Sequence, residues 1–183
     1  MHTAELSELS CSQLRQAVRI LREGFANTAS IFAMTGGAHA EVESFVVGHE
    51  RGALTALEGS EVLGWIGWLE THSHGWEIHS LAVDPRFQHR GIGRYLVTEL
   101  ENRAYAAGIL TLWLGANHEF GGPAEQATLD PIAFSRKLGF EVVGLLPDVN
   151  GLGKPDILMA KRLSACASRR CAPLQEDSGG STR

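Results

Sequence analysis

Gln88-His89-Arg90-Gly91-Ile92-Gly93 stands between a strand-like run, Trp76 to Val83, and a helix-like run, Gly93 to Ala107. No other feature constrains the fold as strongly, because strand, short glycine turn and opening helix together make an anion cradle. Gly91 and Gly93 carry no Cβ to block approach. The first N–H groups of a helix lack an intrahelical partner, so here they can point together at a phosphate. Two familiar phosphate motifs are excluded. The dinucleotide pattern G-x-G-x-x-G fails at Leu96, and the Gly-Lys-Ser/Thr ending of a nucleotide-triphosphate loop is absent, since Gly153-Lys154 precedes Pro155. Taken alone, the stretch is also compatible with an ordinary glycine turn leading into a helix.

With 183 residues and 44% hydrophobic content the chain suits one domain with a sizeable core, as single domains commonly run ~100–200 residues. No apolar run approaches the ~20 residues that span a bilayer. Met1-His2-Thr3-Ala4-Glu5 also lacks the basic-then-apolar order of a secretory signal, so a cytoplasmic protein without a membrane partner is expected. Cys11, Cys166 and Cys171 have no metal-ligand spacing and read as free thiols. His72 and His74 lie at a turn with no cysteine or paired carboxylate nearby, so no metal is expected. From Ser164 to Arg183 the sequence is rich in Ser, Gly and Ala without apolar periodicity. This places a domain over residues 1–163 and an unpacked tail over 164–183. The formal charge is -5 overall; the tail's three arginines against Glu176 and Asp177 give it +1, which leaves about -6 on the domain. Nucleic-acid binding needs Lys and Arg to neutralise phosphates, so the acidic balance disfavours it and suits a cationic substrate.

Ser10 or Ser12 can cap a first helix whose Leu14, Ala17, Val18, Leu21 and Phe25 fall at helical spacing. A second runs from about His39 to Glu50, and Ile31, Phe32 and Met34 between the two can line a pocket. Ala53–Leu57 and Glu61–Thr71, joined by Glu58-Gly59-Ser60, read as an antiparallel hairpin, with Trp76–Val83 as the next strand. Beyond the cradle helix, Gly108 is a stop, Ile109–Ala116 a buried strand, and Asn117–Leu129 an irregular loop. A short helix from Asp130 or Pro131 to Leu138, stopped by Gly139, precedes the strands Phe140–Leu146 and Asp156–Lys161, and an extra strand at the N-terminus is open.

The spacing Q-x-x-G-x-G resembles the acyl-CoA signature of the GCN5-related N-acetyltransferases (GNAT). The element order and Phe134-Ser135-Arg136-Lys137-Leu138-Gly139-Phe140, which looks like that family's F-Y-x-K-L-G-F segment, extend the resemblance over roughly Ser10 to Leu163. The resemblance implies an α/β (α+β) fold: a mixed central sheet with antiparallel N-terminal strands and a splayed parallel pair, flanked by about four helices. It implies acetyl-CoA as co-substrate. Gln88, His89, Arg90, Gly91, Ile92, Gly93 and Arg94 would hold its pyrophosphate. The free backbone of Leu81, Ala82 and Val83 would meet the pantetheine arm and acetyl carbonyl, with Asn117, Phe134 and Lys137 along the remainder. Lys137 reads equally well as a solvated surface charge.

Strand alternation puts Glu77, His79 and Leu81 on one face and Trp76, Ile78, Ser80 and Ala82 on the other. Glu-Ile-His-Ser-Leu-Ala-Val is similar to the run in arylalkylamine and aminoglycoside acetyltransferases, where this strand often carries the catalytic acid or histidine. Glu77 and His79 are therefore the candidate catalytic pair, against the plainer reading of two half-exposed strand residues. A carboxylate near pKa ~4.3 takes a proton poorly from an alkylammonium, whereas imidazole near ~6.5 lies closer to working pH. Glu77 thus anchors the cation or acts through water, and His79 is the better direct base. Many relatives use a Tyr to protonate the leaving thiolate, and Ser135 stands at that position. A thiolate of pKa ~8.5 leaves well unaided; Tyr95 or water is the other source of the proton.

Leu146 to Arg162 looks like a segment from aminoglycoside 6'-N-acetyltransferases, which implies a cationic small-molecule acceptor, direct transfer in a ternary complex, and antibiotic resistance. Polycations call for converging carboxylates and aromatic walls, for which Asp148, Asp156, Glu41, Trp65 and Trp76 are candidates. Asp148 and Asp156 read equally as turn caps beside Pro147 and Pro155, and Trp65 and Trp68 as core. Two alternatives remain: acetylation of a protein or small-metabolite amine, and a non-catalytic acyl-CoA sensor. A homodimer through exposed edges is open.

Overall fold

The computed structural model describes residues 1–25, 37–116, 130–149 and 151–164. Among the described residues the sheet has seven strands in the order β1-β2-β3-β4-β5-β7-β6: β1 (His2–Glu5), β2 (Arg51–Glu58), β3 (Glu61–His72), β4 (Gly75–Val83), β5 (Thr111–Ala116), β6 (Glu141–Leu146) and β7 (Asp156–Arg162). Pairing is antiparallel except where β4 runs parallel to β5. Four helices are present among the described residues: α1 (Cys11–Gly24), α2 (Ala38–Val47), α3 (Ile92–Ala106) and α4 (Pro131–Lys137). The mixed α/β architecture expected from the sequence is the one observed, and the N-terminal strand that the sequence left open is present as β1. No helix among the described residues is long and apolar enough to cross a membrane.

Local chemistry sets these boundaries. Ser10 rather than Ser12 caps α1, in a box with Gln13 that satisfies two orphan N–H groups. Gly59, at φ +61, makes the two-residue turn of the β2–β3 hairpin. Asp130 accepts from the N–H groups of Ile132 and Ala133 to open α4, with Pro131 as its first residue.

Each sheet face is closed by its own helices. On one, Ile92, Leu96, Leu100 and Ala104 of α3 recur every four residues and pack with Ile66, Trp68, Trp76 and Ile78. On the other, Ala17, Ile20 and Leu21 of α1 and Val42 and Phe45 of α2 enclose Leu57, Val62, Trp65 and Ala82. Gln16 ties α1 to the hairpin by accepting from Val62 N–H at 3.0 Å.

The strand β4 departs from simple alternation. Gly67 pairs with Ser80 but Trp68 pairs with Ile78, so His79 is an extra residue, a β-bulge. Trp76 and Ile78 face the α3 core; beyond the bulge the phase changes, and Leu81 and Val83 join that core while Ala82 faces α1. Leu81 therefore does not share the face of Glu77 and His79. A bulge bends its strand and tightens its twist, and here β4 leaves its parallel neighbour beside it. Ladder pairs between β4 and β5 stop at Glu77↔Trp113, while β5 stays paired with β7 through Ala116. A wedge opens between them.

Candidate active site

A cleft of about 760 Å³ fills the wedge. One wall is β4 from Glu77 to Val83, with its β5-facing edge unpaired by β5 beyond Glu77; the other is Leu114, Gly115 and Ala116 of β5 with Phe134, Ser135 and Leu138 of α4. The glycine turn closes one end: Gln88, His89, Gly91, Ile92, Gly93 and Arg94 all line the cleft. Gly91 is the N-cap of α3 at φ +84, and Tyr95 N–H closes the first helical bond onto Gly91 O at 2.9 Å. The N–H groups of Ile92, Gly93 and Arg94 thus lie ahead of the ladder, as an anion cradle requires. Gln88 Nε2 donates to Val83 O at 3.3 Å and fixes the turn to the strand end.

Asp84 secures the same junction from behind. Fully buried, it accepts from Arg19 of α1 at 2.7 Å and from the side chain of Arg86 at 2.8 Å, and it caps the 3-10 turn Pro85–Phe87 through Arg86 N–H. The Arg86 side chain, foremost, holds the Asp84 carboxyl below the usual carboxylate range. Sequence reading missed this residue, although a short polar side chain before proline is a capping signal.

At the β4 side of the cleft, His79 lies between two carboxylates. Its Nδ1 is 3.4 Å from Glu77 Oε1 and its Nε2 is 3.2 Å from Glu41 Oε1. Glu41, in the first turn of α2, is 2% exposed, and its Oε1 makes no well-directed hydrogen bond despite this ionic contact. The Glu41 carboxylate foremost, and then Glu77, raise the His79 pKa from 6.5 to about 9, against the opposing effect of burial. At neutral pH the resting imidazole is consequently a cation. The sequence expectation of an imidazole near its ordinary pKa does not describe this resting state.

Asp156 reaches the cleft from β7 across Gly115: a Cβ built on Gly115 would stand 2.9 Å from Asp156 Oδ2. A glycine inside a strand signals such a close approach. Glu41, Glu77, Asp156 and His79 therefore share one cleft with the cradle.

Other candidates lie elsewhere. Trp65 is fully buried between the sheet and α1, donating to Ala17 O at 3.3 Å, so it serves the core rather than the cleft. Trp76 stacks on Trp68 with centroids 5.4 Å apart and lines a different hollow of about 720 Å³, near the start of β4. Asp148, at φ +56, accepts from Gly153 N–H at 2.6 Å and closes the β6–β7 turn. Lys137 is exposed, and Arg90 lies outside the cleft lining with its guanidinium over the Phe87 ring. Asn117 and the tail from residue 165 lie outside the described residues. No group of three or more side chains suited to a metal occurs among the described residues.

An alanine at 91 tests the cradle. Nothing lies within 4 Å of a Cβ there, so the cost is backbone strain alone, about 1–2 kcal/mol. If the turn relieves it by leaving the cradle conformation, the dissociation constant for the acyl-CoA that the sequence resemblance implies should rise about 5–30-fold in an equilibrium titration.

Residues 20–140 match the model of the acetyltransferase (GNAT) family. An aminoglycoside 6'-N-acetyltransferase solved with coenzyme A superposes with a TM-score of 0.74 at 29% identity, covering 90% of this chain and 98% of that one. An aminoglycoside 6'-acetyltransferase of type Ii gives 0.72 at 31% identity, covering 90% and 99%. An uncharacterised Mycobacterium leprae protein is 32% identical over 87 residues, 48% of this chain and 21% of that protein. The match thus spans about a fifth of that curated relative's length.

Proposed function

Because this chain belongs to the acetyltransferase (GNAT) family, we propose that it transfers an acetyl group from acetyl-CoA to a primary amine of an aminoglycoside, the 6'-amine. Transfer is direct, in a ternary complex, and confers antibiotic resistance. The observation that carries this reading is that Glu41, Glu77 and Asp156 share a cleft with the cradle and with the stretch of β4 left unpaired by β5. Likeness to two aminoglycoside 6'-acetyltransferases at 29% and 31% identity supports the acceptor class.

Each residue has a physical task. The N–H groups opening α3 take the pyrophosphate, and the unpaired edge of β4 takes the pantetheine arm and polarises the thioester carbonyl. Holding thioester and amine together in one wedge makes the reaction effectively unimolecular. Glu77 and Asp156 anchor cationic amines, and His79 accepts the proton released from the reacting one. Ser135, buried in the cleft wall, is a much weaker acid than tyrosine, so the thiolate departs unaided or takes its proton from water.

Purified protein with acetyl-CoA and separate acceptors (kanamycin, tobramycin, polyamines, lysine peptides) tests this by release of CoA thiol. Tobramycin- or kanamycin-dependent release, with product mass raised by one acetyl group, is expected. Turnover of a peptide or polyamine with none on any aminoglycoside would transfer the reading to a protein or metabolite acceptor. Binding of acetyl-CoA without turnover of any acceptor would favour a sensor.

A further inference from the structure

Glu41 is a carboxylate placed where a carboxylate is costly. It sits at the start of α2 among Ala38, Val42 and Phe45, all buried, and its single ion-pair partner among the described residues is His79. A buried charge persists only if it is paired. The histidine is equally constrained: each ring nitrogen faces a carboxylate oxygen, Nδ1 toward Glu77 and Nε2 toward Glu41. A neutral imidazole presents one donor and one acceptor, so two carboxylate neighbours select the doubly protonated ring. The Phe45 ring, 6.1 Å away between centroids, backs it. The His79 side chain is still 36% exposed and lines the cleft.

We propose that Glu41 is a positioning residue which, with Glu77, holds His79 as a resident cation in the acceptor pocket, and that an incoming acceptor ammonium takes its place on the carboxylates and expels its proton. The inference rests on the reading of the acceptor as a cationic amine. The exchange conserves charge. The acceptor enters as R–NH3+, one imidazolium N–H bond breaks, and that proton passes to water. The neutral imidazole then removes a proton from R–NH3+. The freed nitrogen lone pair forms the C–N bond, the C–S bond breaks with its electron pair leaving on sulfur, and the surplus proton on nitrogen passes to water, from which the thiolate takes one. Ammonium and acetyl-CoA thus yield amide, CoA thiol and one proton, and His79 ends as the imidazolium with which it began.

This arrangement resolves a difficulty in the site. A histidine whose pKa is raised to about 9 is already protonated at neutral pH and cannot act as a base until something displaces its proton. A second cation against the same carboxylates does so only when it is in place, which confines the active base to the loaded enzyme. Other charges near the cleft do not supply the effect. Asp156 of β7 and His89 and Arg94 of the cradle line it, but none forms an ion pair with His79; α1 contributes Gly24, followed by its C-cap Phe25, and the facing β3 residues Gly67 and Trp68 are uncharged.

The test is the titration of His79 by imidazole-nitrogen NMR in the full chain, its resonance assigned by its loss in His79→Gln. The wild-type midpoint is expected near 9. Glu41→Gln should lower it by at least about one unit, a tenfold change in protonation ratio. Saturating tobramycin, or methylguanidinium, whose charge is fixed over this range, should lower the wild-type midpoint similarly. An unchanged midpoint in a folded Glu41→Gln protein overturns the positioning role, and failure of both cations to move the wild-type midpoint overturns the exchange. Should Glu41→Gln not fold, the wild-type cation titration decides. A shift with methylguanidinium but not tobramycin supports the exchange and instead removes the aminoglycoside as acceptor.

Discussion

Replacing His79 with glutamine is expected to lower kcat/KM for the acceptor about 10²–10⁴-fold, the usual contribution of a positioned general base, with little change in KM for acetyl-CoA. Glutamine retains hydrogen-bonding capacity toward Glu41 and Glu77, which lie 3.2 and 3.4 Å from the native ring, but it cannot carry the proton. The pH–rate profile separates chemistry from packing. Because the raised pKa lies at about 9, the His79 imidazole of the free protein is protonated below that value, so on the proposed role wild-type kcat/KM should climb with pH and level off near it. The variant should lose this limb and retain only the one set by the acceptor amine. The same shift has a stability consequence of definite sign. A pKa raised on folding stabilises fully below the unfolded value of 6.5, and the contribution is lost as pH rises through about 9. An unchanged profile and turnover in His79→Gln would remove it as the base. Glu77→Gln, in contrast, should impair acceptor KM and kcat together.

Asp84→Ala should destabilise the fold by about 3–5 kcal/mol, the cost of removing one partner from a buried ion pair. The carboxylate is inaccessible and joins α1, the 3-10 turn and the end of β4 through Arg19 and Arg86, while Arg86 also reaches Glu61 at 2.9 Å. Both arginines keep partial access to water, which places the effect toward the lower end. For a chain of this size about 3 kcal/mol lowers Tm by roughly 6–12 °C, at about 2–4 °C per kcal/mol. Because the native pKa is depressed, the contribution is present above the unfolded value of ~3.9 and is lost as pH falls through the lowered native pKa. The Tm gap between wild type and variant should therefore narrow at acid pH. A gap below about 1 °C at pH 7 would show that the junction draws its stability elsewhere.

What the sequence made legible is what local chemistry determines. The glycine turn before α3, a hairpin connection at Glu58-Gly59-Ser60 and a serine cap for α1 each act over a few residues and are readable in the sequence, whereas the left-handed φ of Gly91, the two-residue length of the hairpin turn and the choice of Ser10 over Ser12 come from the structure. Glu77 and His79 were also readable, being two residues apart on one strand. The bulge at His79 was not, because it is a mismatch of register between β3 and β4 and leaves no composition signal. Leu81 falls on the face opposite Glu77 and His79 for that reason. Glu41 was readable as an acid but not as the partner of His79, since the contact joins a helix to a strand across the sheet face. Trp65 and Trp76 illustrate a further limit: an aromatic ring that would suit a sugar pocket suits a core equally, and only packing decides. Asp148 and Asp156 flank similar prolines, yet the first closes a turn and the second crosses Gly115 into the cleft.

The central claim, that the β4–β5 wedge and the glycine turn form the acetyl-CoA site, is tested most directly by amide hydrogen exchange with and without saturating CoA. Slowed exchange concentrated at Leu81–Val83 and Ile92–Tyr95, with β1 and β6 unaffected, is the predicted result. Protection centred instead on the hollow lined by Trp68, Trp76 and Arg103, or no protection at either place, would contradict it.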